Sequence, residues 1–147
     1  GVAQAKSCNS AIVDSTPDVR FVTSGDEVRD VVSNLTWKRC AQGQVWNSVS
    51  SSCSGVVLSL TWSQALSQAS GEWRLPNIKE LLSIVEVSCS SPAINETIFP
   101  DTSDESFWTS SPYINNDQAW TVLFSDGNDA GSSKNVGASV RLVKDAS

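Results

Sequence analysis

Gly71-Glu72-Trp73-Arg74-Leu75-Pro76-Asn77-Ile78-Lys79-Glu80-Leu81-Leu82-Ser83-Ile84-Val85-Glu86 is the stretch whose reading decides the fold. Pro76 has no N–H to donate and disfavours helix at Leu75, so the chain arrives extended and turns only afterwards. Asn77 then has the side chain of a helix cap, and Glu80, three residues on, reaches back in a capping box. Ile78, Leu81, Leu82 and Val85 recur at i, i+3, i+4 and i+7, which predicts a helix of about three turns with one apolar face. Trp62 and Trp73 are the local partners expected to cover it.

Working outward, Thr61 and Gln64 repeat the capping box at the head of a second short helix. Trp62, Ala65, Leu66 and Ala69 make its inner face, and Gly71 ends it. Further upstream, residues 19–23, 27–32 and 35–40 read as strands, the last two joined as a hairpin at Ser33-Asn34. Residues 41–59 are rich in Ser and Gly but carry Trp46 and Cys53, so they read as a pinned excursion in which Trp46 covers a small satellite core. Downstream, 101–105 is a solvated acidic turn, and 107–110 and 119–124 are strands. Residues 125–137, dominated by Asp, Asn, Gly and Ser, read as a long polar loop. A final strand over 139–144 puts Val140 and Leu142 on one face and Arg141 on the other. Strands, two helices and strands again, without a βαβ rhythm, predict an α+β fold.

The 147 residues suit one domain, 1–147, with 1–7 a loose arm and a core supplied by six tryptophans and 39% hydrophobic residues. No run reaches the roughly 18 apolar residues of a membrane span, so no membrane insertion is expected. Ala3-Gln4-Ala5 fits the small-residue site at which exported precursors are cleaved. A net charge of −6 and a pI near 4.4 exclude a general nucleic-acid or anionic-membrane surface. Lys38-Arg39 and Arg141 with Lys144 are the remaining basic spots, and both read as solvated strand faces. The chain has no His, which removes the ordinary Ser/His and Cys/His nucleophile pairs and most zinc sites.

Four cysteines permit three pairings, and none of their spacings is that of a zinc knuckle or a redox pair. Two disulfides formed in an oxidising compartment follow. Cys40 pairs with Cys53 across a loop able to close, worth about 3 kcal/mol on the loop-entropy model. Cys8 with Cys89 then follows by elimination, closing a far longer loop worth about 4 to 5 kcal/mol.

Candidate binding residues sit in two polar segments, 112–118 and 125–137. Tyr113, Asn115, Asn116, Asp117, Asp126, Asn128, Asp129 and Lys134 combine amides, carboxylates and an aromatic ring able to hydrogen-bond and stack on a glycan or a protein epitope. Asp126, Asn128 and Asp129 also offer hard oxygens to calcium, but lack the Asp-x-Asp-x-Asp-Gly pattern and its bidentate Glu, so turn formation is the expectation. No metal and no cofactor are expected. Trp73, Arg74, Trp108, Trp120 and Arg141 read as structural, the arginines satisfying backbone carbonyls or a carboxylate inside the fold.

Trp73-Arg74-Leu75-Pro76-Asn77-Ile78-Lys79-Glu80-Leu81 resembles the central motif of the bacterial family typified by the C-terminal domain of the Legionella collagen-like adhesin, formerly a domain of unknown function. Other family-like segments lie in the expected order: Ser15-Thr16-Pro17-Asp18 with Arg20-Phe21, Leu35-Thr36-Trp37-Lys38-Arg39-Cys40, Gly43-Gln44 with Trp46, Trp62 with Ala65, Ile98-Phe99-Pro100, Phe107-Trp108-Thr109-Ser110-Ser111, Ala119-Trp120 and Val140-Arg141-Leu142-Val143. The resemblance implies a C-type lectin-like fold with a twisted antiparallel sheet joining the chain's ends, two short helices and long loops. It also implies a bacterial secreted or surface-displayed adhesion domain recognising a glycan or a host or neighbour-cell surface protein. The alternative is a structural module of a surface or pilus-like assembly that contacts sister subunits as a homo-oligomer. Formylglycine-generating enzymes have a related fold, but they work through cysteines that here have a structural use, so the domain is read as not an enzyme. In a bacterial chain the acceptor patterns at Asn34 and Asn95 are expected to go unused. The family's named adhesin takes sulfated polysaccharides, from which this acidic chain departs.

Overall fold

The computed structural model describes residues 6–146, so the Ala3-Gln4-Ala5 site and the first five residues of the arm lie outside the described residues. Strands β1 (Ser7–Cys8), β2 (Phe21–Ser24), β3 (Glu27–Asp30) and β4 (Leu35–Lys38) open the chain, followed by the small hairpin β5 (Val45–Asn47) and β6 (Ser52–Ser54). Helices α1 (Trp62–Leu66) and α2 (Ile78–Leu82) come next. β7 (Cys89–Ser90), β8 (Ser106–Pro112), β9 (Gln118–Leu123), β10 (Asn128–Ser133) and β11 (Val143–Asp145) complete an α+β architecture.

Among the described residues the named strands all pair antiparallel, and one isolated bridge, Phe107 to Ser139, is parallel. One sheet has the order β11-β4-β3-β2 and so joins the C-terminal strand to three strands of the first forty residues, while a second has the order β10-β9-β8. β1 pairs with β7, and β5 with β6. Both disulfides form as read from the sequence, Cys8–Cys89 and Cys40–Cys53, leaving no free cysteine among the described residues. The arm expected to be loose is already held at Lys6, whose Nζ donates to the Ile94 carbonyl at 2.7 Å, and Ser7 pairs with Ser90.

The β8–β9 pair lies between two apolar clusters because consecutive residues of a strand face opposite sides. Phe107 and Val122 join Trp37, Phe99, Phe124, Leu81 and Ile84 in the larger cluster, and Trp108 and Ala119 join Leu75, Val140 and Leu142 in the smaller. The same alternation disposes Arg141 away from Val140 and Leu142. Rather than meeting solvent, it is 1% exposed between the rings of Phe99 and Phe107, 4.9 and 5.6 Å from their centroids. Arg141 has no carboxylate partner among the described residues; its Nη1 donates to the carbonyls of Lys38 and Arg39, and its Nη2 to Thr102 Oγ1. Burial pushes its pKa down to about 9, which still leaves it cationic at neutral pH. Arg39, also expected on a solvated face, is buried and donates to the carbonyls of Ile98, Thr97 and Gly25.

Both capping boxes are present. Asn77 Oδ1 accepts from the Glu80 amide and Glu80 Oε1 from the Asn77 amide, each at 2.8 Å, and Thr61 and Gln64 repeat the arrangement. The helices are shorter than the apolar periodicity predicts. α2 stops at Leu82 because tertiary partners take the groups that would continue it: Arg20 Nη2 donates to the Ser83 carbonyl, and the Val87 amide donates to Ser15 Oγ. Ile84 and Val85 still reach the core through tighter i→i+3 turns. The α2 face packs into the larger cluster, whereas Trp62 and Trp73 pack against the smaller one, so they are not its cover. α1 ends at Leu66, and both Leu66 and Ala69 are exposed.

Two further corrections follow from backbone pairing. The expected polar loop 125–137 contains β10, paired residue for residue with β9 from Asn128↔Leu123 to Ser133↔Gln118. The final strand is confined to Val143–Asp145. The extended residues before it bond singly to several neighbours, as where the Lys38 amide donates to the Leu142 carbonyl and the Gln42 amide to the Val140 carbonyl.

Candidate functional site

The eight candidate binding residues divide between the two ends of the β10-β9-β8 sheet. Tyr113, Asn115, Asn116, Asp117 and Lys134 gather at the β8–β9 tip, while Asp126, Asn128 and Asp129 lie at the β9–β10 turn. A six-residue strand separates the two groups, which at about 3.3 Å per residue is roughly 20 Å. The chain therefore brings together five of the eight.

The tip is braced from within. The Tyr113 amide donates to the Gln118 carbonyl, the Gln118 amide to the Asn115 carbonyl and Asn115 Nδ2 to Gln118 Oε1, at 3.1, 3.1 and 3.0 Å. Lys134, just past β10, clamps the other flank: its amide donates to the Asp117 carbonyl at 2.9 Å and its Nζ to the Asn116 carbonyl at 2.6 Å. The same Nζ lies 4.5 Å from the centroid of the Trp62 ring, a cation–π contact across to α1. Backbone carbonyls at the tip are thus occupied, leaving the side chains of Asn115, Asn116 and Asp117 exposed.

An aromatic pair adjoins them. Tyr113 meets Trp120 edge to face with centroids 4.6 Å apart, and both remain partly exposed. Gly131 makes this possible through space rather than backbone freedom, since a Cβ there would stand 2.8 Å from three Tyr113 ring atoms. Sequence reading singled out Trp120 as structural and Trp62 as a core residue, and gave Gln118 no role. The signal that places the first beside Tyr113 is hairpin geometry, in which 113 lies across from 118 and diagonal to 120.

At the far turn, Asp126 Oδ1 accepts from the Asn128 amide at 2.9 Å and Oδ2 from Asn128 Nδ2 at 3.0 Å. Gly127 takes the left-handed φ of 81° this reversal needs, and its amide donates to the Leu123 carbonyl. The Asp126 carboxylate serves the turn, the role expected from its sequence. Asp129 is exposed on β10.

Other aromatic surfaces are already occupied. Arg39 stacks 4.3 Å over Trp46, and Lys38 and Lys144 stand 4.4 and 4.8 Å from Trp73. Trp73 is only half-buried, contrary to its reading as a core residue. Arg74 forms a two-pronged pair with Glu80, both contacts at 2.7 Å, and reaches Asp145 at 3.0 Å. Of the basic side chains, Lys6, Arg20, Lys38, Arg74 and Lys144 are ion-paired and Arg39 and Arg141 buried. Arg29, Lys79 and Lys134 remain without a carboxylate partner among the described residues.

No curated protein sequence matches the chain. Among domain families, residues 26–144 match the model of the Lcl C-terminal domain.

Proposed function

This chain belongs to the Lcl C-terminal domain family, and from that membership we propose that it is the recognition module of an exported bacterial adhesin, holding a glycan or a surface protein at the β8–β9 tip. The observation that carries the reading is the braced tip. Exposed Asn115, Asn116 and Asp117 side chains stand on a backbone fixed by Gln118 and Lys134, beside the half-exposed Tyr113–Trp120 pair. Rigid aromatic surface with adjacent amides supplies stacking and hydrogen bonds at little entropic cost. Two disulfides support an oxidising, extracellular setting, and no helix of the described residues is long and apolar enough to cross a membrane. The pairing of the C-terminal strand β11 with β4, in one sheet with β2 and β3, supports the C-type lectin-like assignment, which is carried as part of the same proposal. Binding rather than catalysis is the proposed activity.

The test compares one triple and one double variant on a glycan array and on immobilised matrix proteins. Replacing Asn115, Asn116 and Asp117 with Ala is expected to lower binding at least tenfold. Melting should barely move, since exposed changes stay within about 0.5 kcal/mol each. Replacing Asn128 and Asp129 should leave binding unchanged. The reverse pattern would move the site to the far turn.

A structural assembly role is the second reading, favoured by one observation: β10 is a six-residue sheet edge whose sequence, Asn-Asp-Ala-Gly-Ser-Ser, lacks the Lys or Pro that usually guards an edge. A concentration-dependent oligomer in size exclusion, with no array ligand, would favour it. Either way, heparin should bind weakly or not at all at about 150 mM salt, where screening acts beyond about 8 Å. A tight, salt-sensitive heparin complex would show that Arg29, Lys79 and Lys134 act together after all.

A further inference from the structure

The two disulfides differ in their surroundings. Cys40 and Cys53 are 9% and 6% exposed, and the pair lies under Asp101, whose Oδ2 accepts from the Cys53 amide at 2.9 Å, and beside the Arg39–Trp46 stack. Cys8 is exposed and Cys89 half-buried. Nine consecutive residues, 6–14, are exposed, so no buried apolar side chain fastens this segment. Apart from the disulfide, it is held by the two-residue β1–β7 ladder, by Lys6 on Ile94 and Glu96, by the Asn9 amide on the Ser88 carbonyl and by Ser88 Oγ on Asp14. From Ser15 onward the attachment changes in kind. Glu86, 3% exposed, accepts from the amides and hydroxyls of both Ser15 and Thr16, and Thr16 is itself buried.

The arm is also a wall. A groove of about 470 Å³, open to solvent, lies between it and residues 86–97, lined by Lys6, Cys8 and Asp14 on the arm side and by Glu86, Cys89 and Glu96 opposite, with residues 16–19 also in its lining.

We infer that Cys8–Cys89 is a redox latch: its reduction frees residues 6–14 up to the Glu86 clamp and removes that wall of the groove while the core stays folded. The co-reactant is a dithiol. One of its thiolates attacks the exposed Cys8 sulfur, expelling the Cys89 thiolate, which takes a proton from water. The second thiol then attacks the mixed disulfide, releasing the Cys8 thiol, and the dithiol departs as its own cyclic disulfide. Two electrons pass from the dithiol to the protein. Cys40–Cys53 is spared because an attacking thiolate cannot line up on buried sulfurs. The inference is independent of where the ligand binds.

The experiment treats the oxidised domain with dithiothreitol, traps thiols with N-ethylmaleimide at successive times and maps the labelled peptides. Cys8 and Cys89 should be labelled at least tenfold faster than Cys40 and Cys53. On the singly reduced protein, amide exchange at Cys8 and Asn9 should accelerate at least tenfold, and the near-ultraviolet tryptophan signal should persist. Simultaneous reduction of both pairs, unchanged exchange at the arm, or loss of the tryptophan signal on reducing Cys8–Cys89 would each overturn the latch. Because the trapped native protein is read directly, the result does not depend on a Cys8→Ser, Cys89→Ser variant folding.

Discussion

Replacing Trp108 with alanine is expected to lower stability by about 3 to 5 kcal/mol, enough to consume a large part of the 5 to 15 kcal/mol typical of a domain. Trp108 is fully buried in the smaller cluster, where three of its buried neighbours, Ala65, Ala119 and Ala138, have no side chain long enough to refill the space. The void would therefore persist. The indole also donates to the Leu60 carbonyl at 2.7 Å, a bond the variant loses even though that carbonyl keeps the Ala138 amide at 2.9 Å. Trp120→Ala, at the half-exposed position across the sheet, should cost far less. Urea midpoints of the two variants decide the matter, and a loss at Trp108 no larger than that at Trp120 would show that the smaller cluster collapses freely.

Glu86 should set the acid limit of the domain. Burial alone would raise its pKa, but the Thr16 hydroxyl and the amides of Ser15, Ser88 and Thr16 outweigh burial and hold the carboxyl at about 2. A carboxylate whose pKa falls on folding contributes stability that is complete above the unfolded value, 4.5, and is lost as the pH drops from there to about 2. At 1.36 kcal/mol per unit the contribution is about 3 kcal/mol. Asp30, held below its usual range against burial by Arg20, and Glu80, held likewise by Arg74, add to the same acid slope. Glu86→Gln should therefore be destabilised by about 3 kcal/mol at neutral pH and should lose less than the parent chain on acidification. Denaturant titrations across that window test it, and parallel curves for the two proteins would remove Glu86 from the account.

What could be read from the sequence was what is decided locally. The two capping boxes need only four neighbouring residues each, and the disulfide pairing needs only loop length and count. The alternation of Val140, Arg141 and Leu142 placed their side chains on opposite sides, and the reading of Arg141 as satisfying carbonyls inside the fold holds, but which carbonyls they are, those of Lys38 and Arg39 a hundred positions away, has no local signature. α2 ended early for a similar reason, through Arg20 and Ser15. β10 was legible only through its turn. Asp126-Gly127 after an apolar strand is a hairpin signal, but β10 itself lies at a sheet edge and carries no apolar alternation, so its composition reads as loop. Missing that strand is what merged the two ends of the sheet into one expected site. The tip residues were identifiable as polar and exposed; their bracing by Lys134 required knowing that β10 returns beside them.

The Cys8–Cys89 bond also fixes how the domain would carry mechanical load. Tension entering through the chain at Cys8 crosses the covalent bond to Cys89 and continues toward β11, so the intervening residues are shielded from the pull. With a sequence separation of 81 and about 3.5 Å of reach per residue, roughly 280 Å of chain is withheld from extension. β2, β3, β4 and both helices lie inside that protected loop, while the sheet bearing the β8–β9 tip lies on the loaded path. Under a pull between Cys8 and β11 the β1–β7 and β11–β4 ladders meet the load at its two ends, and the β10-β9-β8 sheet lies between them on the chain.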